Sequence, residues 1–292
     1  MREPPRILVF GLGYTGAAIA ARAVASGWHV AGTSRDPAGI HAPAGVQVVA
    51  FDHAADVIAE ATHLVATAPP GAQGDPVLAA HRAAIAAAPR LRWAGYLSTT
   101  GVYGDRGGGW VDEDTPPAPA SERTQRRVAA EQDWALLAGR LAVDVFRAAG
   151  IYGPGRSALD DVRAGTARHV LRPGHMFGRI HRDDIALAVL AAAGQGRPAG
   201  LRVLHLADDE PAESARVIEE AARLLGVALP PGVPFEQAEL TMSPMARSFW
   251  SESRRVSNAR TKAALGIAWL YPTYREGLRA ILGVLGRVAR GE

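Results

Sequence analysis

Val9-Phe10-Gly11-Leu12-Gly13-Tyr14-Thr15-Gly16 is the stretch on which the fold turns. An apolar run, Ile7 to Phe10, precedes it and an alanine-rich run, Ala17 to Ala25, follows it. A strand therefore passes through a glycine turn directly into a helix. Each glycine has a task in such a unit: Gly11 permits the sharp turn, Gly13 removes a side chain where backbone must approach phosphate, and Gly16 lets the helix pack on the strand. The unpaired amides of the helix N-terminus then form a site for a pyrophosphate, with Tyr14 and Thr15 beside it. A plain structural turn in a chain with 32 glycines would look the same, so the neighbouring segments decide between the two.

After Ser26-Gly27-Trp28, His29 to Thr33 reads as a second strand, and the residues at its tip are Ser34-Arg35. An acidic residue there would bind the ribose 2′-hydroxyl of NAD, whereas a guanidinium suits a 2′-phosphate. NADP(H) is expected in preference, with NAD(H) the alternative because Asp36 follows at once. Val46 to Phe51 is a third strand ending at Asp52, and His63 to Ala68 a fourth ending at Pro69-Pro70-Gly71. Both end on the ligand side of a parallel sheet, which sets Asp52 near the adenine and Ala66 to Pro70, including Ala68 and Pro69, along the nicotinamide ribose. A helix over 76–88 leads to the fifth strand, Trp93 to Leu97. That strand ends in Ser98-Thr99-Thr100-Gly101-Val102-Tyr103-Gly104-Asp105, whose hydroxyls either meet a substrate oxygen or satisfy backbone groups at the strand end.

Composition narrows the function classes. At 292 residues the chain suits one large α/β domain, or a domain with a smaller lobe. The absence of cysteine excludes disulfides, thiol catalysis and zinc–thiolate sites. A balance of 32 basic against 29 acidic residues argues against nucleic acid or a membrane surface as partner, and no apolar run approaches the roughly 20 residues of a span. The expectation is a cytoplasmic protein with a small-molecule substrate, a monomer or a homodimer pairing through the helices near 76–88 and 121–138. Lys262 is the single lysine.

Four segments in order carry a resemblance: the glycine loop, Leu97 to Gly104, Arg147-Ala148-Ala149-Gly150-Ile151-Tyr152-Gly153-Pro154-Gly155, and Arg179-Ile180-His181-Arg182-Asp183-Asp184-Ile185-Ala186. Together they resemble, over essentially the whole chain, an extended short-chain dehydrogenase/reductase of the NAD-dependent epimerase/dehydratase type. The resemblance implies an α/β Rossmann fold, a doubly wound parallel sheet with a small C-terminal substrate lobe. Residues 1–155 would form the dinucleotide-binding core with a further strand near 201–206, and 156–200 and 207–292 mainly the lobe. It also implies a catalytic Ser/Thr, falling on Thr99 with Thr100 as neighbour, followed on the next helix by a tyrosine and a lysine four positions apart.

This chain departs from that pattern. Ala130-Glu131 fixes the register of the helix from Pro119, putting Arg127 at the lysine position and Arg123 at the tyrosine position. Arginine keeps its proton under all ordinary conditions and cannot cycle as acid and base. Arg127 can still bond a ribose or phosphate, Arg123 can stabilise developing negative charge, and the proton donor is left among Tyr103, Tyr152, His181 and water. The loop itself departs too, with Phe10 where relatives usually carry the first glycine. Two functions stay open: an oxidoreductase or epimerase-like enzyme acting on a small polar or sugar-derived substrate, and a dinucleotide-binding sensor without turnover.

On the substrate side the candidates are Tyr152, Arg156, Arg179 and His181, with Arg163, Arg168 and Arg172 nearby. Arginine suits phosphate, although 31 arginines make surface coincidence equally common. Asp183 or Asp184 is placed to cap the helix Ile185 to Ala193. His181 has no partner at metal-ligand spacing, so no metal is expected. The acidic run Asp112-Glu113-Asp114 reads as a solvated loop, and the segment Met242 to Ser253, with Phe249 and Trp250, either closes over substrate or makes a lobe contact.

Overall fold

Parallel pairing of the apolar runs builds the molecule. The computed structural model describes residues 3–290; the outer ends of the spans above, 1–2 and 291–292, lie outside the described residues. The first half runs β1 (Arg6–Phe10), α1 (Tyr14–Ala25), β2 (His29–Ser34), β3 (Val46–Ala50), α2 (Ala55–Glu60), β4 (His63–Ala66), α3 (Pro76–Ala87), β5 (Trp93–Thr99), β6 (Trp110–Val111), α4 (Glu122–Ala135) and β7 (Ala142–Ala148). The second runs β8 (Gly150–Tyr152), α5 (Ala158–Arg163), β9 (His169–Leu171), β10 (Arg179–His181), α6 (Arg182–Gly194), β11 (Gly200–Leu206), α7 (Ser214–Leu225), β12 (Gly232–Pro234), α8 (Phe235–Ala238), α9 (Pro244–Trp250), β13 (Arg255–Val256), α10 (Ala259–Leu265) and α11 (Tyr274–Arg290).

Seven strands form one sheet in the order β11-β7-β5-β4-β1-β2-β3, every pair parallel. In β1, Leu8 pairs with Ala31 of β2 on one side and with Leu64 of β4 on the other. The chain reverses its direction of winding between those neighbours, so the loops after β1 and β4 diverge and open a crevice at the carboxyl edge. This is the expected Rossmann-like α/β fold. The third strand stops at Ala50, and Phe51–His53 turns as a short 3-10 helix.

Both faces of the sheet are covered, which explains the nearly continuous apolar character of the central strands. Ile19, Ala20 and Ala23 of α1 pack with Ile185, Val189 and Ala192 of α6 on one face. Ile58, Val77, Leu78, Ile85 and Trp134 from α2, α3 and α4 fill the other. Each fully buried side chain of this size contributes about 1.5–3 kcal/mol. Helix α6 falls within the 156–200 span read as lobe, yet it packs on the sheet beside α1. A separate cluster joins β8, α5, α7 and α11 through Tyr152, Leu159, Val217, Tyr274 and Leu278.

Two local features differ from expectation. The N-cap of α6 is His181, whose Nδ1 accepts from the Asp183 amide at 3.2 Å. Asp184 instead turns away from the helix end and accepts the amides of Leu270 (2.6 Å) and Tyr271 (3.2 Å), tying α6 to the segment before α11. Burial pushes its carboxyl up to about 6 despite those bonds. The acidic loop is engaged rather than freely solvated: Glu113 accepts from Thr261, and Asp114 pairs with Arg260. Among the described residues no helix is long and apolar enough to cross a membrane.

Candidate functional site

The glycine turn is held from both neighbouring strands. The Gly11 amide donates to Thr33 Oγ1 at 3.1 Å, and Thr67 Oγ1 donates to the carbonyls of Phe10 (3.0 Å) and Gly11 (2.9 Å). Gly11 has φ +93°, a conformation that favours glycine. Gly16 packs so closely that an added Cβ would lie 1.9 Å from the Gly11 carbonyl oxygen, which is why helix and turn can touch at all. Helix α1 opens at Gly13 with no side-chain cap and no acidic residue in its first turn. By contrast α3 is capped by Asp75 and α4 by Ser121. The amide end of α1 is thus left for an external anion.

Two cavities meet over that end, sharing Gly13 and Thr67 in their walls. The outer one, about 570 Å³, lies between Gly11, Ser34, Arg35, Ile40, Phe51 and the Ala68-Pro69 loop. Arg35 is exposed at its rim. Asp36 points elsewhere, its carboxylate accepting the Gly39 amide at 3.0 Å. Asp52 is exposed in the 3-10 turn and is not part of the wall; Phe51, one residue earlier, takes that place because the strand ends sooner than its apolar run.

The inner cavity, about 430 Å³, is walled by Tyr14, Thr15 and Gly16, by Ser98, Thr99 and Thr100 at the end of β5, and by Arg123 and Arg127 on α4. Thr99 Oγ1 accepts the Gly101 amide at 3.1 Å, so its own proton is free to donate. Arg127 donates to the Leu97 carbonyl at 2.8 Å and to the Tyr96 hydroxyl at 3.1 Å, which pins its guanidinium at the strand end. Arg123 is exposed on the rim, 5.3 Å over the ring of Phe249. Arg156 lies 5.7 Å over the ring of Tyr14.

Three proposed proton donors stand outside this cavity. Tyr103 is fully buried, its hydroxyl 2.5 Å from His205 Nε2 and 2.7 Å from Arg147; burial pushes its pKa up to about 12. Tyr152 is buried against α11, its hydroxyl 3.5 Å from the Thr273 carbonyl, with its pKa raised by burial. His181 is buried under Tyr152 and Tyr271, and burial pulls its pKa down to about 4. Arg179 also belongs elsewhere: it donates to the Phe177 and Ala212 carbonyls and lines a separate cavity of about 390 Å³ with Tyr152 and Tyr274.

Beneath the hydroxyls lies a buried network. Ser98 donates to Glu131 at 2.5 Å, and Glu131 is gripped by Arg147 through three bonds of 2.7–3.2 Å. Arg147 reaches Tyr103, and Tyr103 reaches His205, whose Nδ1 meets the Ser257 carbonyl at 2.8 Å. Five side chains from β5, α4, β7, β11 and the turn after β5 thereby fix the floor of the inner cavity.

Some wall residues escaped the sequence reading. Met176, Phe177 and Arg254 line the inner cavity, with Arg254 paired at 2.8 Å to Glu252 of the 242–253 segment, which lines it too. Phe249 does so as well, from the segment weighed as a cover. Thr67, within the span Ala66 to Pro70 expected along the nicotinamide ribose, lines both cavities. Among the described residues no group of three or more His, Asp or Glu could hold a metal ion.

No family model matches the chain. A Streptomyces protein described as 3-diazoavenalumate denitrifying reductase is 32% identical over 181 residues, and the match spans 58% of each chain. The solved structure of a functionally unknown conserved protein from Silicibacter pomeroyi DSS is 43% identical, covers 96% of this chain and 99% of its own, and superposes with a TM-score of 0.88. A Methylobacillus flagellatus protein described as an NAD-dependent epimerase/dehydratase is 28% identical over 97% of this chain and 99% of its own, with a TM-score of 0.73. Two structures alike in fold alone are MoeE5 with UDP-glucuronic acid and NAD (19% identical, 94% and 96% covered, TM-score 0.73) and human SDR39U1 with NADPH (20% identical, 94% and 98% covered, TM-score 0.76).

Proposed function

Because the chain belongs to the NAD-dependent epimerase/dehydratase-like group of extended short-chain dehydrogenase/reductases, we propose that it is an oxidoreductase that prefers NADP(H) and acts on a small polar substrate. The observation supporting this most directly is the pair of cavities meeting over the uncapped end of α1. The outer cavity has the size and apolar walls for an adenosine, with Arg35 at the rim for a 2′-phosphate and Asp36 turned onto its own loop. The inner cavity takes the nicotinamide end. When bound there, the dinucleotide supplies or accepts hydride.

The chain's own residues bind and orient. Arg127, pinned to β5, offers its remaining donors to a ribose or a substrate oxygen. Thr99, with its proton free, donates to a substrate oxygen, and Thr100 stands beside it. Neither Arg123 nor Arg127 supplies a proton, and the carboxylate of Glu252 is engaged by Arg254. This arrangement suits an acceptor that needs no proton from the protein, one that releases a neutral leaving group as hydride arrives. A denitrifying reductase acting on a diazo compound, the description of the Streptomyces relative, belongs to that class of reaction. A sensor without turnover is not favoured by the enzymes among the relatives.

Fluorescence titration tests the cofactor reading. Wild type binds NADPH more tightly than NADH by about tenfold, the worth of a charge-assisted phosphate contact, and Arg35→Ala removes most of that difference. Equal affinities in the wild type overturn the preference.

A further inference from the structure

Resting on that cofactor reading, we infer that the substrate is a small aromatic carboxylate whose anionic group is held by Arg123. The inner cavity is lined by four arginines and, among the described residues, one carboxylate. Three of the arginines are accounted for. Arg254 is paired with Glu252 at 2.8 Å. Arg127 is held at the end of β5 by one nitrogen on the Leu97 carbonyl and the Tyr96 hydroxyl, and its remaining donors are taken by the cofactor ribose in that reading. Arg156 lies over the ring of Tyr14 in the glycine loop, on the side where a pyrophosphate brings its own charge.

Arg123 is left. It faces the same space from α4, and no carboxylate among the described residues pairs with it. Its guanidinium carbon lies over the ring of Phe249, 5.3 Å from the centroid, a cation–π contact that leaves N–H donors for the two oxygens of a carboxylate. The nearby walls are Phe177, Phe249, Met176, Ile151 and Val256, which suit a flat apolar body. A sugar would need acceptors for its hydroxyls, and Glu252, the carboxylate that lines the cavity, is already engaged.

Size points the same way. A cavity of about 150 Å³ holds one benzene-sized ring, so the 430 Å³ here accepts a nicotinamide, its ribose and one further ring. A nucleotide-linked sugar would have to continue past Arg156 into the 390 Å³ cavity, where Asp160 and Asp161 offset Arg156 and Arg179 and leave no net positive charge for a phosphate.

Calorimetric titration of the full chain saturated with NADP⁺ tests the inference, with benzoate, its neutral isostere benzamide, and UDP-glucose as probes. Benzoate should bind at least about tenfold more tightly than benzamide, as expected for a charge-assisted pair. Arg123→Gln should erase that preference while leaving NADP⁺ affinity within about twofold of wild type, since Arg123 faces the substrate and not the cofactor. Equal binding of benzoate and benzamide, an undiminished preference in Arg123→Gln, or tighter binding of UDP-glucose than of benzoate overturns the inference. The NADP⁺ titration is made first and without any carboxylate. Its failure overturns the cofactor reading, whereas NADP⁺ binding without benzoate binding overturns the substrate assignment alone.

Discussion

Alanine at position 16 and alanine at position 13 differ only in where one methyl group is added, yet the two substitutions should damage different properties. At Gly16 the new Cβ would sit 1.9 Å from the Gly11 carbonyl oxygen, 3.0 Å from its carbon and 3.2 Å from Thr67 Oγ1. The first distance is roughly 1.5 Å inside ordinary contact. Gly11 cannot yield freely, because Thr33 and Thr67 hold it from two strands and its φ of +93° is already restrictive. Overpacking of this kind costs about 1–3 kcal/mol, which lowers the melting temperature of a chain this size by roughly 2–6 °C. At Gly13 an added Cβ meets nothing within 4 Å, and φ −72° is open to any residue. Gly13→Ala should therefore change stability by less than about 0.5 kcal/mol. Its methyl would instead stand at the junction of the two cavities, where a pyrophosphate must pass. Scanning calorimetry and NADPH fluorescence titration separate the effects: Gly16→Ala melts lower, while Gly13→Ala melts like wild type and binds NADPH at least about tenfold more weakly. Wild-type NADPH affinity in Gly13→Ala would refute the path assigned to the dinucleotide, and a wild-type melting temperature in Gly16→Ala would refute the packing account.

Two further outcomes follow from particular side chains. Burial holds the Asp184 carboxyl at about 6 in the folded chain, above the roughly 3.9 of an unfolded aspartate, so the folded state binds that proton more tightly. Its contribution is fully present below pH 4 and is lost as pH rises through 6, amounting to about 3 kcal/mol; urea denaturation of wild type and Asp184→Asn should show their stability difference changing by that amount between these limits, and a flat difference counts against it. Restoring the family pair with Arg123→Tyr and Arg127→Lys should raise NADPH consumption on generic aldehydes, since it supplies a proton donor beside Thr99; a folded double variant with no gain would show that the missing pair is not what limits such activity.

How far the sequence could be read depended on how local each feature is. Strands β1, β2, β4, β5 and β7 announce themselves as apolar runs ending in glycine, hydroxyl or proline, because burial on both faces of a parallel sheet demands it. The glycine loop was legible for the same reason: its spacing answers to the backbone geometry of the next few residues. Arg123 and Arg127 were legible as departures, since Ala130-Glu131 fixes their register. Tyr103, Tyr152 and His181 misled because a side chain near a functional motif in sequence can point into the core, and only packing decides this. Tyr103 turns toward Arg147 and His205, 44 and 102 positions away. Asp52 misled by a shorter route, a strand that stops at Ala50. Arg254 meets the cavity only after the chain has passed through the lobe, just before β13, a placement with no periodic signature.

The braced floor and the wall opposite it answer to different pressures. Ser98, Glu131, Arg147, Tyr103 and His205 are locked to one another across four elements and a turn, so any one of them can be exchanged only at the expense of the rest. The facing wall draws Phe249, Glu252 and Arg254, beside Met176 and Phe177, from one passage of chain, α9 and the residues up to Arg254, anchored at its sides by Arg172 on the Trp250 carbonyl and by Asp105 on the Ser253 amide. New specificity can then arise by rewriting about a dozen consecutive residues without disturbing the hydroxyls at the end of β5. In that sense the molecule behaves as a chassis with a detachable faceplate, and a library confined to 244–254 is the economical place to retarget it.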